Sequence, residues 1–279
     1  MHNKRIYVLI VFFLFITSAS FAQSLDSIAV ASKQWNTKEI AKGLLWKQAH
    51  FDTLFDSEQE INFLEIDLKK YRKRLRLAAE PRQLKKTSEM ALAHQALVAV
   101  NGGFFDTKNG GAVDFIQVDG KVVNTSKRKI DRTNALFLFS RKKIAIALST
   151  DTTYERERYP NVMLAGPLLL QDHRPYPLTK NAFNENRHPR TAIGVTADNK
   201  LLVLVVDGRH RMAHGMSLCE LTDVLRWLGA KDAMNLDGGG SSSLYVRGAT
   251  ATGIVNHPSD NKQFDHEGER AVANIIYIK

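Results

Sequence analysis

Three hairpin patterns constrain the fold of this chain more than any other feature of its sequence. The first is DFIQVDGKVVN (114–124), in which apolar and polar residues alternate on either side of Asp119 and Gly120. The other two are NALFLFSRKKIAIAL (134–148) and AIGVTADNKLLVLVVDG (192–208). Two apolar runs joined by a short polar turn pair as antiparallel strands. The patterns therefore predict sheets built largely from hairpins.

Two segments have the composition of helices. The first is 84–95, where we expect Thr87 or Ser88 to cap the N-terminus. The second begins at Ser217, with Glu220 in the spacing of a capping box, and ends at a glycine. Strand-like stretches fill much of the remaining chain: LLWKQAHF, INFLEIDL, KRLRLA, ALVAV, AMNL, SSLYV and ANIIYI. Few helices among many strands predict an α+β fold, with a mixed or antiparallel β-sheet core, a few packed helices and a single domain.

The N-terminus has the layout of a secretory signal peptide. A positively charged start precedes the apolar run IYVLIVFFLFI (6–16), and a small-residue site then ends at Ala22. An N-terminal membrane anchor is the alternative, but the run is shorter than the roughly 20 residues of an ordinary membrane span. We therefore expect a signal peptide over 1–22 and a polar leader or edge segment over 23–58. The mature protein would be secreted or periplasmic, without a stable membrane anchor.

The charge and the cysteine content narrow the function classes. The formal net charge is +10, which favours anionic substrates or surfaces. Nucleic acid is not an expected partner, because the basic runs at 69–76 and 126–129 have almost no interleaved aromatic residues and match no nucleic-acid-binding signature. Cys219 is the only cysteine, so no intrachain disulfide can form. Its helical neighbours predict a small buried hydrophobic residue rather than a catalytic thiol.

Three apolar strands end in the same way, with polar residues and glycine. ALVAV leads into NGGFFD (101–106), LLVLVV leads into DGR (207–209), and AMNL leads into DGGGSSS (237–243). Each of these could be an ordinary tight turn. Loops at the ends of buried strands are also where a rigid scaffold presents functional groups. Three such ends in one chain favour a shared site.

Familiar site motifs do not explain these loops. No lysine completes a P-loop, and GGGSSS leads into a strand rather than a helix, which argues against dinucleotide binding. The pattern also lacks the spacing of a lipase nucleophile elbow. His210 and His214 are four residues apart but lie outside any zinc-protease pattern. A glycine-rich loop can still direct backbone N–H groups at an anion.

Arginines near these strand ends supply the positive charge that binding an anion requires. Arg190 precedes one strand of a hairpin, Arg209 follows its last strand, and Arg270 precedes the final strand of the chain. A guanidinium group suits phosphate or carboxylate, although a surface ion pair is the common alternative. Beside glycine loops and aspartates, Arg190 and Arg209 are candidate anion clamps.

The motifs together resemble a known family. NGGFFD, AGPLLL, RTAIGVTADNKLLVLVVDGR and MNLDGGGSSSLYV occur in that order, and the tail NHPSDNKQFDHEGERAVANIIYI follows them. This ordered set is similar to the phosphodiester glycosidase domain family and covers roughly residues 60–279. The resemblance implies that 59–279 is a catalytic domain. It also implies cleavage between the anomeric carbon of a sugar and a phosphate that esterifies a second group.

The resemblance places roles on the residues at the strand ends. One or two carboxylates would act at the sugar carbon, or hold the sugar hydroxyls and the attacking water; the candidates are Asp237, Asp207 and Asp106. The candidates for binding phosphate or sugar are Asn101, Gly102, Gly103, Arg190, Arg209, Asn235, Gly238, Gly239, Gly240 and Ser241. Within this set, the arginines and glycines would bind phosphate, and the two asparagines would orient the sugar. Which carboxylates act, and with what stereochemistry, stays open.

Other functions stay open at this point. No cofactor is predicted; Asp265 and Glu267, in the polar segment 256–270, offer a place for a divalent ion such as Ca²⁺, but no metal is predicted. One alternative is a metal-dependent phosphodiesterase that cuts a P–O bond. Another is a non-catalytic module that binds anionic envelope polysaccharide. The sugar, the second group on the phosphate and the oligomeric state are not determined by the sequence.

Overall fold

Strands far outnumber helices in the computed structural model, which describes residues 24–127, 130–150 and 159–279. The first strands are β1 (Asn36–Ala41), β2 (Leu44–Phe51), β3 (Gln59–Asp67), β4 (Leu75–Ala79), β5 (Val98–Asn101), β6 (Ile116–Val118), β7 (Lys121–Asn124) and β8 (Ala135–Phe139). The later strands are β9 (Ile144–Leu148), β10 (Asn161–Ala165), β11 (Leu168–Gln171), β12 (Arg174–Pro175), β13 (Arg190–Thr196), β14 (Lys200–Val206), β15 (Ala230–Asn235), β16 (Leu244–Val246) and β17 (Asn274–Ile278). The α-helices are α1 (Leu25–Ser32), α2 (Leu68–Tyr71), α3 (Thr87–Ala93), α4 (Ala182–Glu185) and α5 (Leu218–Trp227).

These strands form three sheets. The large sheet has the order β1-β2-β3-β14-β13-β15-β11-β12, a second has the order β7-β6-β10-β8-β9, and a third has the order β16-β5-β17-β4. Each strand pair in the described residues is antiparallel. The predicted α+β fold with antiparallel sheets in a single domain is confirmed.

All three predicted hairpins form, as β6–β7, β8–β9 and β13–β14. At the first turn, Asp119 and Gly120 have φ angles of 47° and 84°. A two-residue hairpin loop with positive φ at both central positions matches the right-handed twist of the strands. Asp-Gly tolerates this conformation, so the local sequence favours the turn, and the Asp119 N–H also donates to Asn161 Oδ1 of β10 at 3.0 Å.

The large sheet buries both of its faces. Val203 and Val205 of β14 belong to one apolar cluster with Val100 of β5 from the third sheet. Leu204, between them, belongs to another cluster with Leu221 of α5. Alternate residues of a strand point to opposite faces, so one face packs on the other sheets and the opposite face packs on helices. Strand ends at the sheet edge are thereby held on a rigid support.

The helix α5 has the predicted capping box. The Ser217 side chain accepts the Glu220 N–H at 3.3 Å, and the Glu220 carboxylate accepts the Ser217 N–H at 2.8 Å. Gly229, with φ of 91°, follows the C-terminus. The prediction that Cys219 is buried is wrong: it is exposed. Each helical residue turns by about 100°, and the buried Leu218 places its neighbour Cys219 on the solvent side.

Replacing Ser217 with alanine should lower the free energy of unfolding by about 1 kcal/mol, because one helix N-terminal N–H loses its acceptor. Urea unfolding followed by circular dichroism measures the effect. Ser32→Ala, at an exposed hydroxyl in the last turn of α1, is the matched control and should leave stability nearly unchanged. Equal stabilities of the two variants would contradict the prediction.

The prediction that Thr87 or Ser88 caps the helix in 84–95 is wrong. Helix α3 begins at Thr87 and its N-cap position is Lys86, whose N–H is accepted by the Glu89 carboxylate at 3.1 Å. The Ser88 N–H and hydroxyl both donate to Glu269, at 3.0 and 2.5 Å. A carboxylate distant in sequence therefore performs the capping. Local sequence could not indicate it, because the partner is brought in by the tertiary fold.

The N-terminal segment extends the large sheet. The predicted signal peptide (1–22) lies outside the described residues. In the segment 23–58, β1 and β2 form the outer strands next to β3, and α1 contacts α5. Asp26 of α1 accepts the Phe55 N–H at 3.0 Å. Among the described residues, no helix has the length and apolarity that crossing a membrane requires.

Candidate active site

Two of the three predicted strand ends lie at the same end of the large sheet. Arg190, the first residue of β13, is opposite Val206 at the end of β14. Ala192 of β13 is opposite Asn235 at the end of β15. Asp207 directly follows Val206. The antiparallel register therefore brings residues 207–209 and 235–237 to the end of the large sheet where Arg190 lies.

Asn101 brings the third predicted strand end, that of β5, to the same end of the large sheet. Its side chain is fully buried, and its Nδ2 donates to the carbonyl oxygen of Asp237 at 2.7 Å. Its Oδ1 accepts the Thr191 hydroxyl at 2.8 Å and the Ser243 N–H at 3.2 Å. Asn101 therefore links two sheets and positions the backbone of Asp237. Its predicted contact with a sugar stays a prediction.

Gly102 and Gly103 form the turn that packs against Asp237. The Gly103 N–H donates to Asn274 Oδ1 at 2.7 Å, and a Cβ atom on Gly102 would lie 2.1 Å from that same oxygen. The Gly102 carbonyl accepts the Asp237 N–H at 3.0 Å. The close approach of Asn274 explains why a side chain is excluded at position 102.

The run of three glycines passes close to other parts of the protein, and a Cβ atom on Gly238 would lie 2.7 Å from the carbonyl oxygen of Pro189. Gly239 has a φ of 64°, and a Cβ there would lie 3.0 Å from Nη2 of Arg209. At Gly240 a Cβ would lie 2.1 Å from Oδ1 of Asp260. Left-handed backbone and close contact both favour glycine. The loop that follows Asp237 is therefore held between Arg209 and Asp260.

Backbone groups of this loop are largely used within the protein. The Gly239 N–H donates to Pro189 O at 2.8 Å, and the Ser241 N–H lies 3.3 Å from the carbonyl oxygen of Gly238. The predicted donation of these N–H groups to a phosphate stays a prediction. Their observed contacts fix the shape of the loop beside Asp237.

The environment of Asp237 raises the pKa of its carboxyl group to about 6. Burial is the largest cause, and it outweighs Ser241, the Gly238 N–H, Arg270 and Arg132, which all lower the pKa. The Ser241 hydroxyl lies near the carboxylate but outside hydrogen-bond geometry, and it has no other partner among the described residues. Asp237 keeps some exposed surface. With a pKa of about 6 the carboxyl group is mostly ionised at pH 7, and a raised pKa at a partly exposed carboxylate is a feature of candidate functional sites.

Asn235 holds the chain just before Asp237. Its Nδ2 donates to Gly166 O at 2.9 Å and to Leu236 O at 2.6 Å. Its Oδ1 is buried and has no hydrogen-bond partner among the described residues. The predicted sugar contact of Asn235 stays a prediction, since the observed bonds serve the backbone.

Arg190 is held by backbone carbonyls rather than by a carboxylate. Its Nε donates to Met216 O at 2.8 Å, and its Nη2 donates to Phe183 O at 2.7 Å and Asn186 O at 2.9 Å. The residue is 1% exposed, and this burial lowers its pKa to about 10. No described carboxylate forms an ion pair with it. The charge of Glu220 raises the pKa of Arg190 without forming an ion pair, because Glu220 pairs with Arg187. A buried guanidinium without a direct carboxylate partner is suited to an anionic ligand.

Arg209 adds a second positive charge at the surface of the site. It is exposed, forms no ion pair with any carboxylate in the described part of the chain, and has a φ of 64°. A left-handed backbone at a residue other than glycine costs of the order of 1 kcal/mol and is common at functional sites. Burial lowers the pKa of His188, and the charges of Arg190 and Arg209 lower it further. The two guanidinium groups thus act on one region.

Two phenylalanines connect Arg190 with a third arginine. The Arg190 guanidinium lies 5.1 Å from the ring centroid of Phe183, which lies 6.2 Å from that of Phe104. The Arg132 guanidinium lies 5.1 Å from the Phe104 centroid. Arg132 also lowers the pKa of Asp237. An aromatic wall therefore extends from Arg190 to the charge that acts on Asp237.

Asp207 lies at the same edge, but both of its oxygens face protein groups. Its Oδ1 accepts Asn256 Nδ2 at 2.8 Å. Its Oδ2 accepts the His257 N–H at 3.0 Å and lies 2.9 Å from His257 Nδ1. Asp207 is only 1% exposed. Its predicted direct action on a substrate stays a prediction, while its contacts indicate a role in holding His257.

Asp106 is the predicted carboxylate that the structure does not join to this cluster. Its oxygens accept the N–H groups of Lys108 and Asn109, at 2.8 and 3.0 Å, and the Asn109 side chain at 2.9 Å. These bonds, led by the Asn109 side chain, lower the pKa of Asp106. No hydrogen bond or ion pair within the described residues links it to Asp237. Its carboxylate closes its own turn.

The segment 256–270 places further charges over the glycine loop. Arg270 Nε donates to Asp260 Oδ2 at 3.0 Å, and Asp265 accepts the Glu267 N–H at 2.9 Å. Across residues 24–127, 130–150 and 159–279, no group of three or more His, Cys, Asp or Glu side chains could hold a metal ion.

Three residues of the site are not singled out by sequence patterns. Arg132 and His257 lie in loops, and Phe183 lies in the four-residue helix α4. His257 is noticeable in the sequence only as one of several polar residues near Asp265. None of the three belongs to a periodic segment, so only the tertiary fold reveals what they contact.

Residues 94–279 match the family model described as phosphodiester glycosidase. The chain belongs to the phosphodiester glycosidase family. This confirms the resemblance that the four ordered motifs indicated, and it places the chain among hydrolases. The matched region includes all three strand ends described above.

The similar proteins differ in how much of their own length this chain covers. A prophage-derived uncharacterized protein of Bacillus subtilis, YomE, is 32% identical over 120 residues, which are 42% of this chain and 17% of that protein. The mouse N-acetylglucosamine-1-phosphodiester alpha-N-acetylglucosaminidase is 26% identical over 59% of this chain and 34% of that protein. The chain thus spans about a third of the mammalian relative's length.

A solved structure shows the same fold. The catalytic domain of the zebrafish N-acetylglucosamine-1-phosphodiester alpha-N-acetylglucosaminidase, autoinhibited by its pro-peptide, has a TM-score of 0.69 and 21% identity. The alignment covers 86% of this chain and 85% of that domain. At this identity the likeness concerns architecture, and roles of individual residues must be argued from this chain.

Proposed function

We propose that this protein hydrolyses the bond between the anomeric carbon of a sugar and a phosphodiester oxygen, releasing free sugar and a phosphomonoester. The carrying observation is an accessible Asp237 with a raised pKa, at an edge where Arg190 and Arg209 have no carboxylate partner among the described residues. Family membership and the names of the mammalian relatives support N-acetylglucosamine 1-phosphodiesters as the model substrate.

Arg190 and Arg209 bind the phosphate in this proposal. Arg190 is fixed by three carbonyl contacts, so little conformational entropy is lost when it binds an anion. Arg209 is exposed and can approach the phosphate from the solvent side. The attraction between these guanidinium groups and the phosphate grows as negative charge develops on the departing phosphate. An interaction that is stronger in the transition state than in the ground state lowers the reaction barrier.

Asp237 acts at the sugar carbon. Glycosidic bonds break through a transition state in which positive charge develops at the anomeric centre, and a carboxylate stabilises it. The pKa of about 6 leaves Asp237 ionised at neutral pH. A phosphomonoester is a weak base, so it leaves with little help from a proton donor. The reaction thus needs one carboxylate beside the anomeric carbon and positively charged side chains beside the phosphate.

The place of action is part of the proposal. The N-terminal apolar run supports export by a cleaved signal peptide, and residues 59–279 would then act as the catalytic domain in the periplasm or outside the cell. The net charge of +10 suits substrates that carry phosphate, whether small molecules or envelope polysaccharides.

Hydrolysis in ¹⁸O-labelled water tests which bond breaks. We expect ¹⁸O in the released sugar and none in the phosphomonoester, because water attacks carbon. The measurement is mass spectrometry of both products, using methyl-phosphate and uridyl-phosphate diesters of several sugars. N-acetylglucosamine and glucose diesters in both anomeric forms separate sugar preference from stereochemistry.

Two other outcomes would overturn the proposal. Label in the phosphate, with activity lost on chelation, would indicate a metal-dependent phosphodiesterase. Tight binding of an anionic polysaccharide without any release of sugar would indicate a non-catalytic module.

A further inference from the structure

The His257 imidazole is fixed by a buried carboxylate. Asp207 Oδ2 lies 2.9 Å from His257 Nδ1 and also accepts the backbone N–H of His257 at 3.0 Å. Asn256 holds the other carboxylate oxygen at 2.8 Å. A carboxylate accepts hydrogen bonds, so this contact is a hydrogen bond in the tautomer that carries the proton on Nδ1. In the neutral imidazole, Nε2 then presents a lone pair.

Flanking rings fix the plane of this imidazole. Phe264 stacks on one side, with ring centroids 3.8 Å apart and planes 7° apart. His266 stacks at 4.8 Å, and its Nδ1 lies 2.7 Å from the Asn256 carbonyl oxygen. His257 can therefore neither tilt nor rotate without breaking several contacts. A side chain used only for solubility would not be held in this way.

The Nε2 atom of His257 is free to act. No residue that the structure describes makes a hydrogen bond to it, and the side chain keeps 15% of its surface exposed. The opposite nitrogen is fully used by Asp207. A base with one nitrogen oriented by a carboxylate and the other accessible is the arrangement by which histidine removes protons.

Asn256, the residue before His257, contacts the chain that follows the glycine loop of Asp237. Its side chain donates to Ser242 O at 3.0 Å and accepts the Leu244 N–H at 2.7 Å. On the far side of Phe264, His210 stacks at 4.8 Å, and His210 directly follows Arg209. Asn256 and the stacked rings of Phe264 and His210 therefore connect the segment around His257 with the chain after Asp237 and with the residue after Arg209.

We propose that His257 is the base that takes a proton from the water attacking the sugar, and that Asp207 is its positioning residue. This rests on the proposed function. As the water oxygen bonds to the anomeric carbon, one proton moves to His257 Nε2. The C1–O bond breaks, and its electron pair leaves with the phosphomonoester. Solvent then removes the proton from the imidazolium.

The first test is turnover of His257→Gln on a sugar 1-phosphodiester. We expect kcat to fall by about 100-fold or more, the usual contribution of a general base. The solvent deuterium isotope effect on kcat, expected in the unaltered protein, should disappear. His173→Gln is the matched control, since His173 lies in the β11–β12 turn bonded to Lys231, at the opposite end of the sheet.

Added imidazole tests the role independently of side-chain packing. Free imidazole should raise the rate of His257→Gly at least tenfold above its rate without imidazole. The rate of the unaltered protein should not change. A fully active His257→Gln protein, or an unchanged isotope effect, would overturn the base assignment while leaving the proposed function in place.

The role of Asp207 is tested by the state of the His257 ring. Nitrogen-15 spectra of the unaltered protein should show the proton on Nδ1, and Asp207→Asn should shift it toward Nε2 while kcat falls and KM changes little. Rescue of activity by Asp207→Glu would support positioning. Protonation on Nε2 in the unaltered protein would overturn the assignment. If that protein released no sugar from any diester, the proposed function itself would fail, and the base role with it.

Discussion

Asp237→Asn is expected to reduce sugar release by about 10³-fold, because the amide cannot supply negative charge to the anomeric carbon. Asparagine has nearly the same size and keeps the contacts of the Asp237 backbone with Asn101 and Gly102. The loss should therefore appear in kcat with little change in KM. Steady-state release of free sugar measures it. Asp172→Asn, at a 77% exposed side chain near Lys231, is the matched control.

The same substitution should make the protein more stable at neutral pH. The pKa of Asp237 is raised to about 6 from 3.8, so ionisation opposes folding, and its cost grows as pH rises through this window. At pH 7 the cost is up to roughly 3 kcal/mol, less whatever solvent screening removes. Removing the charge relieves it.

Urea unfolding at two pH values checks this expectation. Asp237→Asn should exceed the unaltered protein in stability at pH 7. The difference should shrink below about pH 4, where Asp237 becomes protonated in both the folded and the unfolded protein. Equal stability at both pH values would show that the carboxylate is not in a destabilising environment. A variant that is both active and unchanged in stability would remove Asp237 from the proposed site.

The hairpins show how much of the fold is written locally. Asp119-Gly120 indicates the position of one turn, and Ser217 with Glu220 indicates the start of α5. The order of strands in the large sheet has no such local signal, because β3 pairs with β14 far along the chain. Contacts of this kind depend on how whole faces pack. Sequence patterns therefore predict the elements and the class, but not the three-sheet arrangement.

The candidate site divides along the same line. The sequence predicts the positions of Asp237 and Asp207, because each follows an apolar strand; their roles stay predictions. Asp106 fits the same pattern, yet its carboxylate bonds to Asn109 and closes a turn. His257 lies outside the pattern, and only the fold brings it to Asp207. Position along a strand predicts where a side chain is, but not which partner it has.

Arg190 shows why the type of partner matters. A surface ion pair is the common state of an arginine, and Arg187 forms one with Glu220 at 2.6 Å. Arg190, three residues later, is bound to carbonyl oxygens and is almost fully buried. Carbonyls satisfy its hydrogen bonds, and Glu220 acts on its charge only without direct contact. This difference between nearby arginines cannot be inferred from their spacing.

Arg209→Met is expected to lower kcat/KM for a sugar 1-phosphodiester by about 100-fold, the usual effect of losing one charged contact to a developing anion. Arg209 is exposed and has no ion pair within the described residues, so its removal should leave thermal stability nearly unchanged. Methionine keeps the length of the side chain over Gly239 without the charge. Steady-state kinetics and thermal unfolding measure the two effects.

Inhibition by inorganic phosphate separates phosphate binding from general charge. Arg211→Met is the matched control, because Arg211 is exposed in the same loop and removes the same charge. We expect phosphate to inhibit the control as it inhibits the unaltered protein, and to inhibit Arg209→Met at least tenfold more weakly. Arg209→Lys should recover only part of the loss, since lysine offers a point charge without the planar pair of donors that matches a phosphate. Equal inhibition of both methionine variants would show that the site attracts phosphate by net charge alone, and would remove Arg209 from the phosphate site.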